Sequence, residues 1–395
     1  MSSLSSNIAR RSSYQKIWSL SGPSTSTALT PDEAVNHVDP ATDAISCLLH
    51  SLESAYFSHP YLSPERHKTL IEKVRESITF NMKLLYPTSV AIDAKQLEGF
   101  SVSLHPYDAK SKIPDEHTDA EILITWANPG PVLKGEVSRL KNLRWIQSLA
   151  AGPNDVINAG FDTSKIILTT GSGLHDHTVA EHTLGLLLNA ARRFFEMRDC
   201  QHKHKWSSDL GGPQPDRPKG KFTTLQDANI VVWGFGNIAK TLTPWLTALG
   251  ANVTGVARQA GVRQGIEVYA EDKLPELLPQ TDALVMILPG SEATTNVLNA
   301  ERIKLLPKHA WVVNVGRGNS IDDAALLAAL EKGEIGGAAL DVFRTEPLPE
   351  DSRYWTAPNV IVSPHGAGGR PQDPATLIAY NLRRFLAGQE LKNKL

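Results

Sequence analysis

An apolar run, Ile230-Val231-Val232-Trp233, leads straight into Gly234-Phe235-Gly236-Asn237-Ile238-Ala239. Behind it come Leu242, Trp245 and Leu246 at helical spacing. No other segment of the chain restricts its fold as tightly. The order is strand, glycine turn, helix, with the pattern G-x-G-x-x-A. Gly234 permits the tight turn, Gly236 lets the backbone approach a pyrophosphate, and Ala239 lets the helix pack closely on the strand. The helix N-terminus adds free N–H groups and a favourable dipole for phosphates. Contacts to a phosphate-bearing ligand are therefore expected at Gly234, Phe235, Gly236, Asn237 and Ile238.

The rest of the chain repeats this alternation. Strand-like runs occur at 83–86, 100–104, 122–126, 143–148 and 166–169, then at 230–233, 253–256, 283–287, 311–315 and 360–363, with helix-like stretches among them. A long helical pattern spans about 177–197, and a last one 375–386. Such alternation implies parallel sheets covered on both faces. The 395 residues exceed one ordinary domain. The expected architecture is α/β: two Rossmann-like domains with parallel sheets and an active site in the interdomain cleft. Residues 1–55 read as a disordered extension, 56–190 as a substrate domain to which 370–395 returns, and 191–369 as a dinucleotide-binding domain. A breaker-rich loop, Gly211 to Pro218, marks the joint.

Composition removes several classes of function. The formal net charge is −2, which supplies no basic excess for nucleic acid. No apolar run reaches membrane-spanning length. The two cysteines, Cys47 and Cys200, lie outside any zinc or redox spacing and read as free thiols of a reducing compartment. A cytoplasmic location is expected. The Ser-rich first thirty residues, with Arg10, Arg11 and Lys16 and no acid before Asp32, keep mitochondrial targeting open. No metal is expected for His175, His177 and His182: on a helix, positions two apart do not share a face, and no Cys or carboxylate completes a set. His365-Gly366-Ala367-Gly368-Gly369 is like the oxyanion loop of esterases, but no G-x-S-x-G follows it.

Further motifs appear in order: Val313-Asn314-Val315-Gly316-Arg317-Gly318, Ala339-Leu340-Asp341-Val342-Phe343, Glu346-Pro347-Leu348-Pro349 and Ser363-Pro364-His365-Gly366-Ala367-Gly368, preceded by Gly173-Leu174-His175 and Val179-Ala180-Glu181. With these the chain resembles the D-isomer-specific 2-hydroxyacid dehydrogenase family, of the glyoxylate/hydroxypyruvate reductase kind, from about residue 120 to 370. The resemblance implies hydride exchange between a nicotinamide cofactor and a small 2-keto or D-2-hydroxy acid, and a homodimer. It places Asp341 beside the nicotinamide and further cofactor contacts at Leu288, Pro289, Thr294, Val315, Gly316, Arg317, His365 and Ala367. Substrate contacts are implied at Ala127 and Asn128, at Ala151 and Gly152, and at Arg317. Trp126 departs from the small or aliphatic residue expected there. It either crowds the pocket or packs into the core. Some relatives of the family are dinucleotide-sensing corepressors, which is the alternative reading. A phosphoglycerate dehydrogenase with a regulatory tail is disfavoured, because only thirty residues follow His365.

The chemistry asks for these residue types. A guanidinium, Arg317, suits a carboxylate and a carbonyl with its planar fork of donors. The reduced oxygen needs a proton from an acid titrating near neutrality, and His365 fits. A carboxylate, Glu346, orients and stabilises the imidazolium. Singly, each has a plainer reading as a turn, a loop or a cap; in this order they form one site. The second strand of the nucleotide half ends in Ala257-Arg258 where an NAD-binding fold carries an acid. Without that acid nothing repels a 2′-phosphate, and Arg258 offers it a charged fork. NADP is expected as the preferred cofactor, NAD as the alternative. Arg258 is the main determinant and Arg263 a weaker candidate.

Overall fold

A computed structural model describes residues 82–211 and 221–395. All of them lie within one folding unit, Glu72–Leu395. The extension at 1–55, a helical stretch expected from the spacing of Leu70, Ile71, Val74 and Ile78, Cys47 and residues 212–218 of the expected linker fall outside the described residues.

The first sheet contains β1 (Met82–Pro87), β2 (Val102–Tyr107), β3 (Ile122–Thr125), β4 (Trp145–Ser148) and β5 (Ile167–Thr169). All strands are parallel, in the order β2-β1-β3-β4-β5. Side chains alternate between two buried faces, which is why the strands read as unbroken apolar runs. Leu84, Ile122, Ile124 and Trp145 pack with Leu377, Ile378, Leu382 and Phe385 of the helix Pro374–Leu386. Leu85, Leu123, Ile146 and Leu168 pack with Leu133, Val156 and Ala159 on two short helices, Gly130–Glu136 and Asn154–Ala159. The last described helix therefore covers the first sheet.

The second sheet contains β6 (Asn229–Trp233), β7 (Asn252–Val256), β8 (Gly261–Arg263), β9 (Ile266–Tyr269), β10 (Ala283–Met286), β11 (Trp311–Asn314), β12 (Gly337–Leu340) and β13 (Val360–Val362). Its order is β13-β12-β11-β10-β6-β7-β9-β8, parallel except for β8 against β9. The strand order reverses between β6 and β10, and ligands of open α/β sheets bind at such a switch point. Ile230, Val232, Val285 and Val313 face Val179, Ala180, Leu186, Leu187 and Ala190 of the helix Asp176–Arg192.

That packing corrects the expected boundary at 190. The helix buries its apolar stripe on the second sheet, so the change of partner comes at its start, near 175. The helical pattern at 177–197 is also two helices. The first ends at Arg193, whose φ of 54° is left-handed, and a second covers Phe194–His202. Three strands, β8, β9 and β12, carry no strand expectation in the sequence.

Candidate active site

The glycine loop and the runs around Arg317, Asp341 and His365 each lie at the C-terminal end of a strand. Parallel register sets Trp233 beside Met286, Met286 beside Asn314, Asn314 beside Leu340, and Leu340 beside Val362. The loops starting at Gly234, Ile287, Val315, Asp341 and Ser363 therefore share one edge of the second sheet. The loops after β3 and β4 face them from the first. A cleft of about 760 Å³ lies between, lined by Ala127, Asn128, Ala151, Gly152, Ile238, Val315, Arg317, Asp341, Glu346, His365 and Ala367.

His365 Nδ1 lies 2.6 Å from Glu346 Oε2. Glu346 Oε1 accepts the Phe343 N–H at 2.8 Å, so the carboxylate is itself fixed. The hydrogen bond to Glu346 raises the His365 pKa above the usual imidazole range, against an opposing effect of burial. Burial pushes the Glu346 carboxyl up, but the bonds from His365 and Phe343 and the charges of His365 and Arg317 outweigh it and hold it low. With Nδ1 occupied, Nε2 is the nitrogen left for the cleft.

Asp341 is fully buried. It accepts the Ser363 hydroxyl at 2.6 Å and the N–H groups of Gly366 and Ala367 at 2.8 and 3.0 Å. The His365 N–H donates to the Asp341 carbonyl at 2.8 Å. These bonds hold the His365 backbone in the left-handed region, at φ 52°. Burial alone would raise the Asp341 pKa, but the bonds from His182, Ser363 and the loop lower it.

Arg317 stands between two glycines that have no room for a side chain. A Cβ on Gly316 would meet Leu288 backbone atoms at 2.6 Å, and one on Gly318 the Phe343 carbonyl carbon at 1.9 Å. Arg317 is thus gripped by neighbouring backbone rather than set in a surface turn. Its guanidinium reaches across the cleft: a Cβ on Gly152 would come within 2.8 Å of Arg317 Nη2. Among the described residues, no partner takes the N–H groups of Ala127, Ala151 or Gly152. The Asn128 side chain is committed elsewhere, accepting from the Trp126 N–H and donating to Ala109 O.

The glycine loop has the shape of a phosphate cradle. Gly234, at φ 102°, lies so close to β10 that a Cβ would sit 2.4 Å from Ile287 O, whereas the space beside Gly236 is open. The helix Asn237–Ala248 starts with no side-chain cap, so its first N–H groups face this space. Phe235 turns inward and is buried. At the end of β7, Ala257 donates its N–H to Tyr269 O, and Arg258 is exposed. Leu288 is buried and Pro289 exposed. Thr294 Oγ1 is engaged with Pro289 O at 2.7 Å and with the Ser291 turn; its neighbour Thr295 lines the cleft instead.

The sequence carries no local sign of two further contacts. The buried His175 ring sets Nε2 2.8 Å from Leu149 O and Nδ1 3.0 Å from Gly368 O. Trp126 stacks on it at 5.2 Å, so this tryptophan both lines the cleft and packs. His182 Nε2 lies 3.1 Å from Ser363 Oγ and 3.3 Å from Asp341 Oδ1. His177 meets the Trp245 ring edge-on. Among the described residues no group of three or more His, Cys, Asp or Glu could hold a metal ion, and no helix is long and apolar enough to cross a membrane.

Residues 184–367 match the family described as D-isomer specific 2-hydroxyacid dehydrogenase, NAD binding domain. Glyoxylate/hydroxypyruvate reductase A of Salmonella paratyphi B is 28% identical over 291 residues, 71% of this chain and 87% of that protein. A D-isomer specific 2-hydroxyacid dehydrogenase family protein from Aeromonas salmonicida superposes with a TM-score of 0.68 at 28% identity, over 80% of this chain and 98% of the other. A second, from Xanthobacter autotrophicus in complex with NADPH and MES, gives 0.64 at 26% identity, over 80% and 98%. The ordered motifs, the paired parallel sheets and these likenesses agree: the chain belongs to the D-isomer-specific 2-hydroxyacid dehydrogenase family of NAD(P)-dependent oxidoreductases.

Proposed function

We propose that the protein reduces small 2-keto acids, of the glyoxylate and hydroxypyruvate class, to D-2-hydroxy acids with NADPH as preferred cofactor. The observation that carries this is the His365–Glu346 pair at 2.6 Å, in one cleft with an arginine that spans to the opposite loop. Arg317 takes the substrate carboxylate and polarises the adjacent carbonyl. The N–H groups of Ala127, Ala151 and Gly152 complete the carboxylate site. A nicotinamide held in the cleft would supply a hydride for the carbonyl carbon. His365 gives its Nε2 proton to the carbonyl oxygen and is left neutral, still oriented by Glu346. Asp341 holds the His365 loop in place and lines the cleft on the cofactor side.

NADPH is favoured over NADH because Ala257 stands where an acid would repel a 2′-phosphate, and because Arg258 beside it is exposed and unpaired among the described residues. The Xanthobacter relative was crystallised with the same cofactor. A corepressor role draws no support from these relatives. The reading includes a cytoplasmic homodimer, whose mass light scattering would give. The decisive experiment assays a panel of 2-keto acids with NADPH and with NADH. Turnover is expected to be highest for small substrates with NADPH. Absence of turnover with every substrate and both cofactors would overturn the reading.

A further inference from the structure

We infer that Arg263 is the fixed half of the site for the cofactor 2′-phosphate, with Arg258 as its mobile half. The inference rests on the NADPH reading above and assigns the discrimination to a hairpin that no sequence motif marks.

Beyond β7 the sheet continues through β9 and then β8. Gly255 pairs with Val268 and Val256 with Tyr269, so β9 extends the sheet at the cofactor loop. The chain turns back to make β8 and β9 through Gln264 and Gly265, with φ of 51° and 78°, as a two-residue hairpin requires. β8 is a three-residue edge strand, and its Val262 is 71% exposed. It buries little. What it does is place Arg263.

Arg263 Nη1 donates to Phe235 O at 2.6 Å, and Nη2 to Gln259 O at 2.8 Å. Phe235 is the middle residue of Gly234-Phe235-Gly236, and Gln259 follows Arg258 on the segment leaving β7. One guanidinium therefore bridges the phosphate loop and the strand end where this fold receives the adenosine ribose. Its first acceptor is immobile. The Phe235 ring lies against Gly255, where a Cβ would approach it to 2.4 Å, so the ring is seated on the sheet. Of five N–H donors, two are used and three remain, on a cation already held in place. No described carboxylate pairs with Arg263. Arg258, exposed and without a described partner, must be ordered by the ligand; Arg263 need not be. An anion at the ribose 2′ position would meet a preorganised fork, while a 2′-hydroxyl would gain much less from it.

The test measures dissociation constants for NADP, NAD, 2′,5′-ADP and 5′-AMP by calorimetry on wild type, Arg263→Ala, Arg263→Lys and Arg258→Ala. Thermal melting checks that each variant folds. Arg263→Ala is expected to weaken NADP and 2′,5′-ADP by on the order of tenfold or more while NAD and 5′-AMP change about twofold or less. Arg263→Lys keeps the charge but cannot bridge two carbonyls, and is expected to lie between. Should Arg263→Ala fail to fold, the selective loss in Arg263→Lys decides. Equal losses for NADP and NAD would make Arg263 a brace and overturn the inference, as would no loss at all. A wild type that prefers NADP, with discrimination lost only in Arg258→Ala, would overturn it and leave the NADPH reading standing. A wild type that prefers NAD would overturn both.

Discussion

At the scale of single residues, the proposed chemistry depends on how His365 is held. Its protonated form is favoured by Glu346, so reduction is expected to persist to a higher pH than a free imidazole would allow and then fall as the proton is lost. Glu346→Gln removes that support. The alkaline limb of the pH–rate profile should move to lower pH, and an unmoved limb would show that Glu346 does not set the histidine. His365→Ala should lower kcat by about 10²- to 10⁴-fold with NADPH affinity nearly unchanged, checked by steady-state kinetics and calorimetry. Arg317, Glu346 and His365 were legible in the sequence because each needs a distinct side-chain chemistry and each sits in a run of its own. The contacts of His175 and His182 were not. Their partners, Leu149, Gly368 and Ser363, are distant in the chain, and a histidine facing carbonyls or a serine leaves no local pattern.

At the scale of elements, glycines decide where loops can meet. Gly318 packs on Phe343, the residue whose N–H holds Glu346, so a methyl there pushes on the Arg317 loop and the Glu346 loop together. Gly318→Ala should lower stability by about 1–3 kcal/mol or more through overpacking, seen as a lower Tm, and should lower kcat as well. A variant with unchanged Tm and kcat would mean that the two loops part without cost. Ten strands were readable because both sheet faces are buried and the strands are rich in Val, Ile and Leu. β12 escaped because it reads Gly-Ala-Ala-Leu, and the space explains the composition: a Cβ on Gly337 would meet the Trp311 ring at 2.6 Å. The β8–β9 hairpin escaped because it is short and half polar, though Gln264-Gly265 is the kind of pair such a turn uses. The break at Arg193 escaped because the apolar spacing runs on beyond it.

At the scale of the molecule, the chain passes between the two sheets twice, near 170–176 and again near 366–374, and the passages are bonded to each other. The Gln372 N–H donates to Leu174 O at 2.9 Å, and Thr178 Oγ1 and the His175 ring both reach Gly368 O at 3.0 Å. His175→Phe would keep a ring against Trp126 and lose both polar contacts, leaving Leu149 O buried without its donor. A cost of about 1–3 kcal/mol is expected, read as a lower Tm, together with a higher KM for the 2-keto acid and an unchanged Kd for NADP. A variant with wild-type Tm and KM would show that the tie is dispensable. The double passage was only half legible. Motif order gave the two halves, but which sheet the helix Asp176–Arg192 covers depends on packing between distant segments. The same double passage sets an order of completion during synthesis. Every strand of the nucleotide sheet has been made by residue 362, while the first sheet, made earlier, lacks the cover of Leu377, Ile378, Leu382 and Phe385 until the helix Pro374–Leu386 is added. The half that is translated first is the half whose cover is translated last.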